Sequence, residues 1–314
     1  MKAVVIQSYG GKEVLKEQEM EMPNLQDNQV LVEVYATSVN PIDWKVREGY
    51  LKEMMPFEFP IILGWDVAGV VKEKGKAVDN VEIGERVFAR PATTNRGTYA
   101  EYVAVDENLI AKMPDSMTFE EAAAIPLAGL TAYQCLVDFS SIKEGNRVLI
   151  HAGAGGVGTF AIQLAKAYGA YVYTTASGKN IEFLTSLGAD RVINYKEENF
   201  WDVVNDLDIV LDTMGGDIQT KSFEVLKKGG TLVSIVQPPD EHLAKEKEVK
   251  AGLVWLEPNG EQLQLLATLF EEKKLQPIIG QEFPLTEKGV QDAHAVSETH
   301  HAKGKLVITA KKAE

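Results

Sequence analysis

Cysteine is nearly absent from this chain, whose 314 residues include only Cys135. One thiol permits no intrachain disulfide and no thiolate-rich zinc cluster. Its place on a helical stretch after Thr131 reads as a packed small residue rather than a nucleophile. Basic charge is scarce as well: 32 Lys and Arg stand against 46 Asp and Glu, for a net charge of −14. That imbalance repels polyanions over most of the surface, so neither nucleic acid nor a membrane surface is an expected partner. An anionic cofactor would have to meet a local patch. No apolar run is long enough to span a bilayer, and Met1-Lys2-Ala3-Val4 opens a strand without the layout of a signal peptide. A cytoplasmic protein is the expectation. Repeats and low-complexity tracts are also missing, and the charged stretch from Glu241 to Lys250 reads as a solvated loop or helix face.

What is present is a glycine turn. Val148-Leu149-Ile150 reads as a buried strand that runs through His151 and Ala152 into Gly153-Ala154-Gly155-Gly156-Val157-Gly158 and then a helix. In the G-x-G-x-x-G frame Gly153 allows the turn, Gly155 lets backbone approach a pyrophosphate, and Gly158 lets helix and strand pack closely. Unpaired N–H groups and the dipole at the helix start favour an anion there, which suits a dinucleotide. A plain tight turn is the alternative for a bare glycine triplet, and the surroundings argue against it. Helical spacing continues through Ala161, Ile162, Ala165 and Tyr168. Strands are expected at Tyr171–Thr175, Val192–Tyr195, Leu207–Asp212, Thr231–Val236 and Leu253–Leu256, with a helix over Ile181–Leu187 and another through Leu263, Leu266 and Phe270. This predicts an α/β fold with a six-stranded doubly wound nucleotide domain.

The cofactor's identity is legible about one strand later. An NAD-type site ends its second strand with a carboxylate for the ribose hydroxyls. Here that end reads Thr175-Ala176-Ser177-Gly178-Lys179-Asn180, which suits a 2′-phosphate and therefore NADPH, with Ser177, Lys179 and Asn180 as contacts; a solvated loop lysine is the alternative for Lys179. Met214 and Val236 lie at the carboxyl ends of the fourth and fifth strands, where such sheets bind ligands. The first 120 or so residues differ, with short alternating runs broken by Gly and Pro turns that predict a mostly antiparallel β domain. Lys305–Thr309 is expected to return to that domain as a strand. Asn40-Pro41 is a helix-start pair, with Asn40 as cap and Asp43 as a dipole-stabilising carboxylate in the first turn. His294, His300 and His301 fall in a late polar stretch and are expected at the surface.

Nearly the whole chain resembles the zinc-free quinone oxidoreductase branch of the medium-chain dehydrogenase/reductases. The resemblance is carried by Lys2-Ala3-Val4-Val5, Asn40-Pro41-Ile42-Asp43, Gly64-Trp65-Asp66-Val67-Ala68-Gly69, Gly97-Thr98-Tyr99-Ala100-Glu101-Tyr102, Pro126 to Tyr133, the glycine turn, Leu187-Gly188-Ala189-Asp190 and Gly304-Lys305-Leu306-Val307. It implies a β-rich GroES-like catalytic domain, expected over residues 1–123 and 274–314, and a Rossmann domain over residues 124–273. Zinc-dependent relatives carry Cys at the position of Asn40 and Gly-His-Glu at Gly64-Trp65-Asp66, and Asn and Trp are poor zinc ligands. The implied reaction is hydride delivery from NADPH to a quinone or an α,β-unsaturated carbonyl without a metal. By the same resemblance Asn40 and Thr131 line the active site, Asp43 lies beside Asn40, Tyr195 flanks the 2′-phosphate, and the protein forms a homodimer through the edge strand near Gly252–Leu256. Two other readings stay open: a non-catalytic NADPH-binding sensor, and an alcohol dehydrogenase that has found different zinc ligands.

Overall fold

The computed structural model describes residues 1–311. By contacts the chain forms two compact units, one of Met1–Ala128, Pro258–Glu272 and the chain from Pro277 onward, the other of Gly129–Glu257 and Lys273–Gln276.

The first unit opens with β1 (Lys2–Ile6), β2 (Lys16–Glu19) and β3 (Gln29–Val39), then α1 (Pro41–Arg47), β4 (Ile61–Ile62), β5 (Val67–Lys74), β6 (Arg86–Ala89), β7 (Tyr102–Asp106), β8 (Ile110–Lys112) and α2 (Phe119–Ala124). The expected antiparallel character holds: β1 pairs with β2 and β4, and β3 pairs with β5 and β7, all antiparallel. Period-2 alternation sends Val30, Val32 and Val34 of β3 into one core with Val67, Val71, Val87, Val103 and Val105. A second core gathers Val4, Ile6, Leu15, Ile62, Trp65 and Tyr99. Trp65 is thus a packing residue at its indole face, with its N–H donating to Thr94 O at 3.2 Å.

Helix α3 (Pro126–Tyr133) passes into a π-helical turn over Gln134–Phe139. The second unit then runs β9 (Arg147–Ile150), α4 (Gly156–Ala167), β10 (Tyr171–Ala176), α5 (Ile181–Ser186), β11 (Arg191–Asn194), α6 (Phe200–Val203), β12 (Leu207–Asp212), α7 (Gly216–Val225), β13 (Leu226–Ser234), α8 (Glu241–Glu246) and β14 (Lys250–Leu253). All six strands are parallel, in the order β11-β10-β9-β12-β13-β14. Continuous apolar strands suit a sheet covered on both faces, and Leu149, Ile193, Leu207 and Val210 fill one of its cores.

One expectation needs correction here. The sixth strand lies at Lys250–Leu253 rather than Leu253–Leu256. Pairing with β13 ends at Ser234↔Leu253, and Glu257 exchanges hydrogen bonds with the Gln134 side chain (3.0 and 2.7 Å), which takes the backbone out of the sheet. The charged stretch before it is, as expected, a solvated helix, α8, capped by Asp240, whose carboxylate accepts from His242 and Leu243 N–H.

The chain re-enters the first unit with α9 (Gly260–Glu271), β15 (Ile279–Pro284), α10 (Glu287–Glu298) and β16 (Lys305–Thr309). As expected, Lys305–Thr309 joins the first unit, antiparallel to β3 and parallel to β15. The boundary expected at residue 273 puts α9 in the nucleotide domain; by contacts it groups with the first unit. The reason is local: Gly260 lies against the backbone of Asn108 and Ile110, and Lys112 N–H donates to Gln264 Oε1 at 3.0 Å. Among the described residues no helix is long and apolar enough to cross a membrane.

Candidate active site

In the second unit the glycine turn follows β9. Ala152 takes φ +52°, and its N–H donates to Thr175 Oγ1 at 3.1 Å while Gly153 N–H donates to Thr175 O at 3.1 Å. The turn is thereby pinned to the end of β10. A Cβ on Gly153 would lie 2.1 Å from Thr174 Oγ1, and one on Gly158 would lie 2.6 Å from Ala152 O, so both glycines are required by close approach. Gly155 differs. A Cβ there meets only Ala152 O, at 3.4 Å, and no side chain caps α4 at this residue. The start of α4, at Gly156, Val157 and Gly158, therefore offers backbone donors and the positive dipole end toward open space, which fits a diphosphate.

The stretch after β10 is a single 3-10 turn over Gly178–Asn180, where Asn180 Nδ2 donates to Ser177 Oγ at 3.3 Å. Lys179 and Tyr195 are exposed there. With hydroxyl, amide and ammonium groups and no carboxylate between Thr175 and Asn180, the donors fit a 2′-phosphate. Met214 and Val236 are exposed at the ends of β12 and β13. Thr131 is buried in α3, and Cys135, which follows in the π turn, is buried too; desolvation pushes its thiol upward and leaves it inert. His151 donates and accepts between Ser222 Oγ (2.9 Å) and Thr175 Oγ1 (3.2 Å), and burial pulls its pKa down to about 4. It is a neutral packing residue behind the turn.

In the first unit Asn40 caps α1 and is buried. Its backbone N–H donates to Asp43 Oδ2 at 2.8 Å, its Nδ2 donates to Asp66 Oδ2 at 2.7 Å, and its Oδ1 accepts from Lys305 Nζ. Asp66 also accepts from Ser38 Oγ (2.6 Å) and Leu127 N–H (2.8 Å), and lies 3.4 Å from Lys305 Nζ. These bonds fix which end of the amide is which and leave one Nδ2 hydrogen for another acceptor. Asp43 is fully buried; its Oδ2 accepts from Tyr99 Oη at 2.8 Å, and its Oδ1 has no partner. Burial raises its pKa to about 7 against the pull of the Asn40 and Tyr99 hydrogen bonds. The ionised carboxylate expected in the first turn is instead a group that titrates near neutrality.

His294 is a further correction: expected at the surface, it is fully buried. It shares one face of α10 with Val290 and Ala293, a helical stripe that the polar neighbours obscure. Arg47 donates to its Nδ1 (3.1 Å), so Nε2 carries the proton toward Tyr99 Oη (3.2 Å), and burial lowers its pKa to about 3. Tyr99, Asp66 and Lys305 were assigned no role from sequence. A lysine opening an otherwise apolar strand, Lys305-Leu306-Val307-Ile308, was the available signal. Among the described residues no three His, Cys, Asp or Glu side chains cluster so as to hold a metal ion. The donor set at Asn40 does not fit zinc, because the Lys305 ammonium already sits on the Asn40 amide oxygen and on the Asp66 carboxylate.

The sequence family described as the alcohol dehydrogenase GroES-like domain matches residues 26–115, and the one described as zinc-binding dehydrogenase matches residues 187–308. The chain is 38% identical to the chloroplastic NADPH-dependent alkenal/one oxidoreductase of Arabidopsis thaliana, over 98% of this chain and 79% of that protein. The structure of the quinone oxidoreductase from Coxiella burnetii is similar with a TM-score of 0.92 at 39% identity, covering 99% of both chains. That of the Escherichia coli quinone oxidoreductase complexed with NADPH gives 0.88 at 28% identity, over 99% of this chain and 100% of the other.

Proposed function

The chain belongs to the quinone oxidoreductase branch of the medium-chain dehydrogenase/reductases, and from that membership we propose that it uses NADPH to reduce quinones or α,β-unsaturated carbonyls, without zinc. The observation that carries this reading is the uncapped start of α4 beside a carboxylate-free 2′-phosphate loop. The backbone of Gly153, Gly155, Gly156, Val157 and Gly158 would hold the diphosphate, with Ser177, Lys179, Asn180 and Tyr195 at the 2′-phosphate. Met214 and Val236 would line the ribose and nicotinamide, and Thr131 would meet the nicotinamide edge. When bound, NADPH supplies a hydride to the electrophilic carbon.

The protein's own part is orientation and charge stabilisation. Asn40 offers its remaining Nδ2 hydrogen to the acceptor oxygen, a neutral donor held in place by Asp66 and Lys305. Asp43 acts through the Asn40 backbone and is a positioning residue. Solvent then protonates the enolate or hydroquinone anion. Freedom from zinc is supported by the ligand set at Asn40. A homodimer joined at the β14 edge is part of the reading and is supported by exposed Leu253 and Trp255 at the end of the sheet. So is a cytoplasmic location, supported by the single buried cysteine and the lack of a long apolar run.

The test is NADPH turnover with a naphthoquinone and with a 2-alkenal, before and after dialysis against a chelator. Turnover unaffected by chelation is expected. No turnover of either acceptor, or a loss that only zinc restores, would overturn the reading.

A further inference from the structure

Asp212 ends β12 fully buried, and its two oxygens accept four hydrogen bonds. Oδ1 takes the backbone N–H of Met214 (2.9 Å) and Gly215 (2.8 Å); Oδ2 takes Gln219 Nε2 (2.9 Å) and Ser234 Oγ (2.8 Å). A carboxylate has about four lone-pair positions, so this one is saturated. Ser234 stands directly opposite on β13 and carries the connection further, because its Oγ accepts from Val236 N–H (3.3 Å) and Gln237 N–H (3.4 Å). Gln219, reaching in from α7, donates to Gln237 O at 3.1 Å and accepts from Gln237 Nε2 at 3.3 Å. One buried carboxylate thus fixes two turns, Met214-Gly215 and Val236-Gln237. The turns also touch: Gly215 has φ +72°, and a Cβ on it would lie 2.8 Å from Gln237 Oε1.

The sheet order tells which half of a dinucleotide these turns would meet. The glycine turn follows β9, which lies between β10 and β12. A dinucleotide crossing that turn has its 2′-phosphate half over the end of β10 and its other half over the ends of β12 and β13. We propose that Asp212 is the positioning residue for the nicotinamide half of the cofactor, holding both turns in one arrangement through Ser234 and Gln219. This rests on the NADPH reading above. Nothing in the network reaches Ser177, Lys179 or Asn180, so its loss should be felt at one end of the cofactor only.

Asp212→Asn replaces one acceptor by a donor and leaves at least one of the four bonds unmade; Ser234→Ala frees the Val236 turn alone and removes only a hydroxyl. Fluorescence or calorimetric titration of wild type and both variants would use NADPH and adenosine 2′,5′-bisphosphate, which lacks the nicotinamide half. The expected result is a Kd for NADPH raised about tenfold or more in each variant, with the Kd for the bisphosphate within about twofold of wild type. Equal weakening of both ligands, or an unchanged NADPH Kd in Ser234→Ala, would overturn the proposal. Should Asp212→Asn fail to fold, Ser234→Ala decides alone. A wild type that binds neither ligand removes the NADPH reading itself, whereas wild-type binding with unaltered variants removes only the role of Asp212.

Discussion

At the residue scale the buried titratable groups dominate. Asp43 has its pKa raised from 3.8 to about 7, so between those values the folded protein holds a proton that the unfolded chain releases. Its contribution is therefore present at low pH and lost as pH rises through that window. His294 runs the other way. Lowered from 6.5 to about 3, it costs stability as pH falls below 6.5, because the unfolded chain gains a proton that the buried ring refuses. The two windows overlap and oppose each other, so Asp43→Asn, which leaves His294 unopposed, is expected to make the melting temperature rise more steeply with pH between about 4 and 6.5; an unchanged slope in that window would count against the assignment. Lys179→Ala should raise the Kd for NADPH by about 1–3 kcal/mol and leave NADH unaffected, measured by titration with both cofactors. None of the buried pairs was legible in the sequence. Asn40 and Lys305 are 265 residues apart, and no local pattern announces a contact at that separation. The exposed position of Lys179, by contrast, was legible, because it depends on a short loop following a strand.

Elements were easier to read than partners. Five strands of the parallel sheet fell where apolar and β-branched runs and turn residues put them, since a strand buried on both faces is rich in such residues. The sixth was misplaced because an edge strand need not be: Lys250 lies within it, while Leu253 and Trp255 face out. The glycine turn was legible in full, and the three glycines of its G-x-G-x-x-G frame make separable demands on the element. Gly155→Ala adds a methyl group in open space, so the melting temperature should stay within about 2 °C while NADPH affinity falls about tenfold or more, if the diphosphate binds at the start of α4 as proposed. Gly158→Ala places the same group 2.6 Å from Ala152 O and should lose both stability and affinity. Thermal melts alongside cofactor titrations distinguish them, and equal behaviour of the two variants would refute the difference drawn between those sites.

Across the whole molecule, the two-part organisation was visible in the change of texture near the glycine turn, from short antiparallel runs to alternating strands and helices. The assignment of α9 was not, because a helix pattern shows which face is apolar and not what that face meets. The late strand β16 has a consequence for how the protein is made. It pairs along β3 and delivers Lys305 to Asn40 and Asp66. Until it emerges from the ribosome, β3 lacks a neighbour along its second half and Asp66 lacks its counter-ion. The nucleotide unit comprises Gly129–Glu257 and Lys273–Gln276. The expected folding order is therefore inverted relative to synthesis order: the part made second can finish first, while the part made first waits for the last strand. A chain ending at residue 276 should show protease-resistant nucleotide unit and digestible residues 1–128; protection of both in that fragment would show that β16 is dispensable to the first unit.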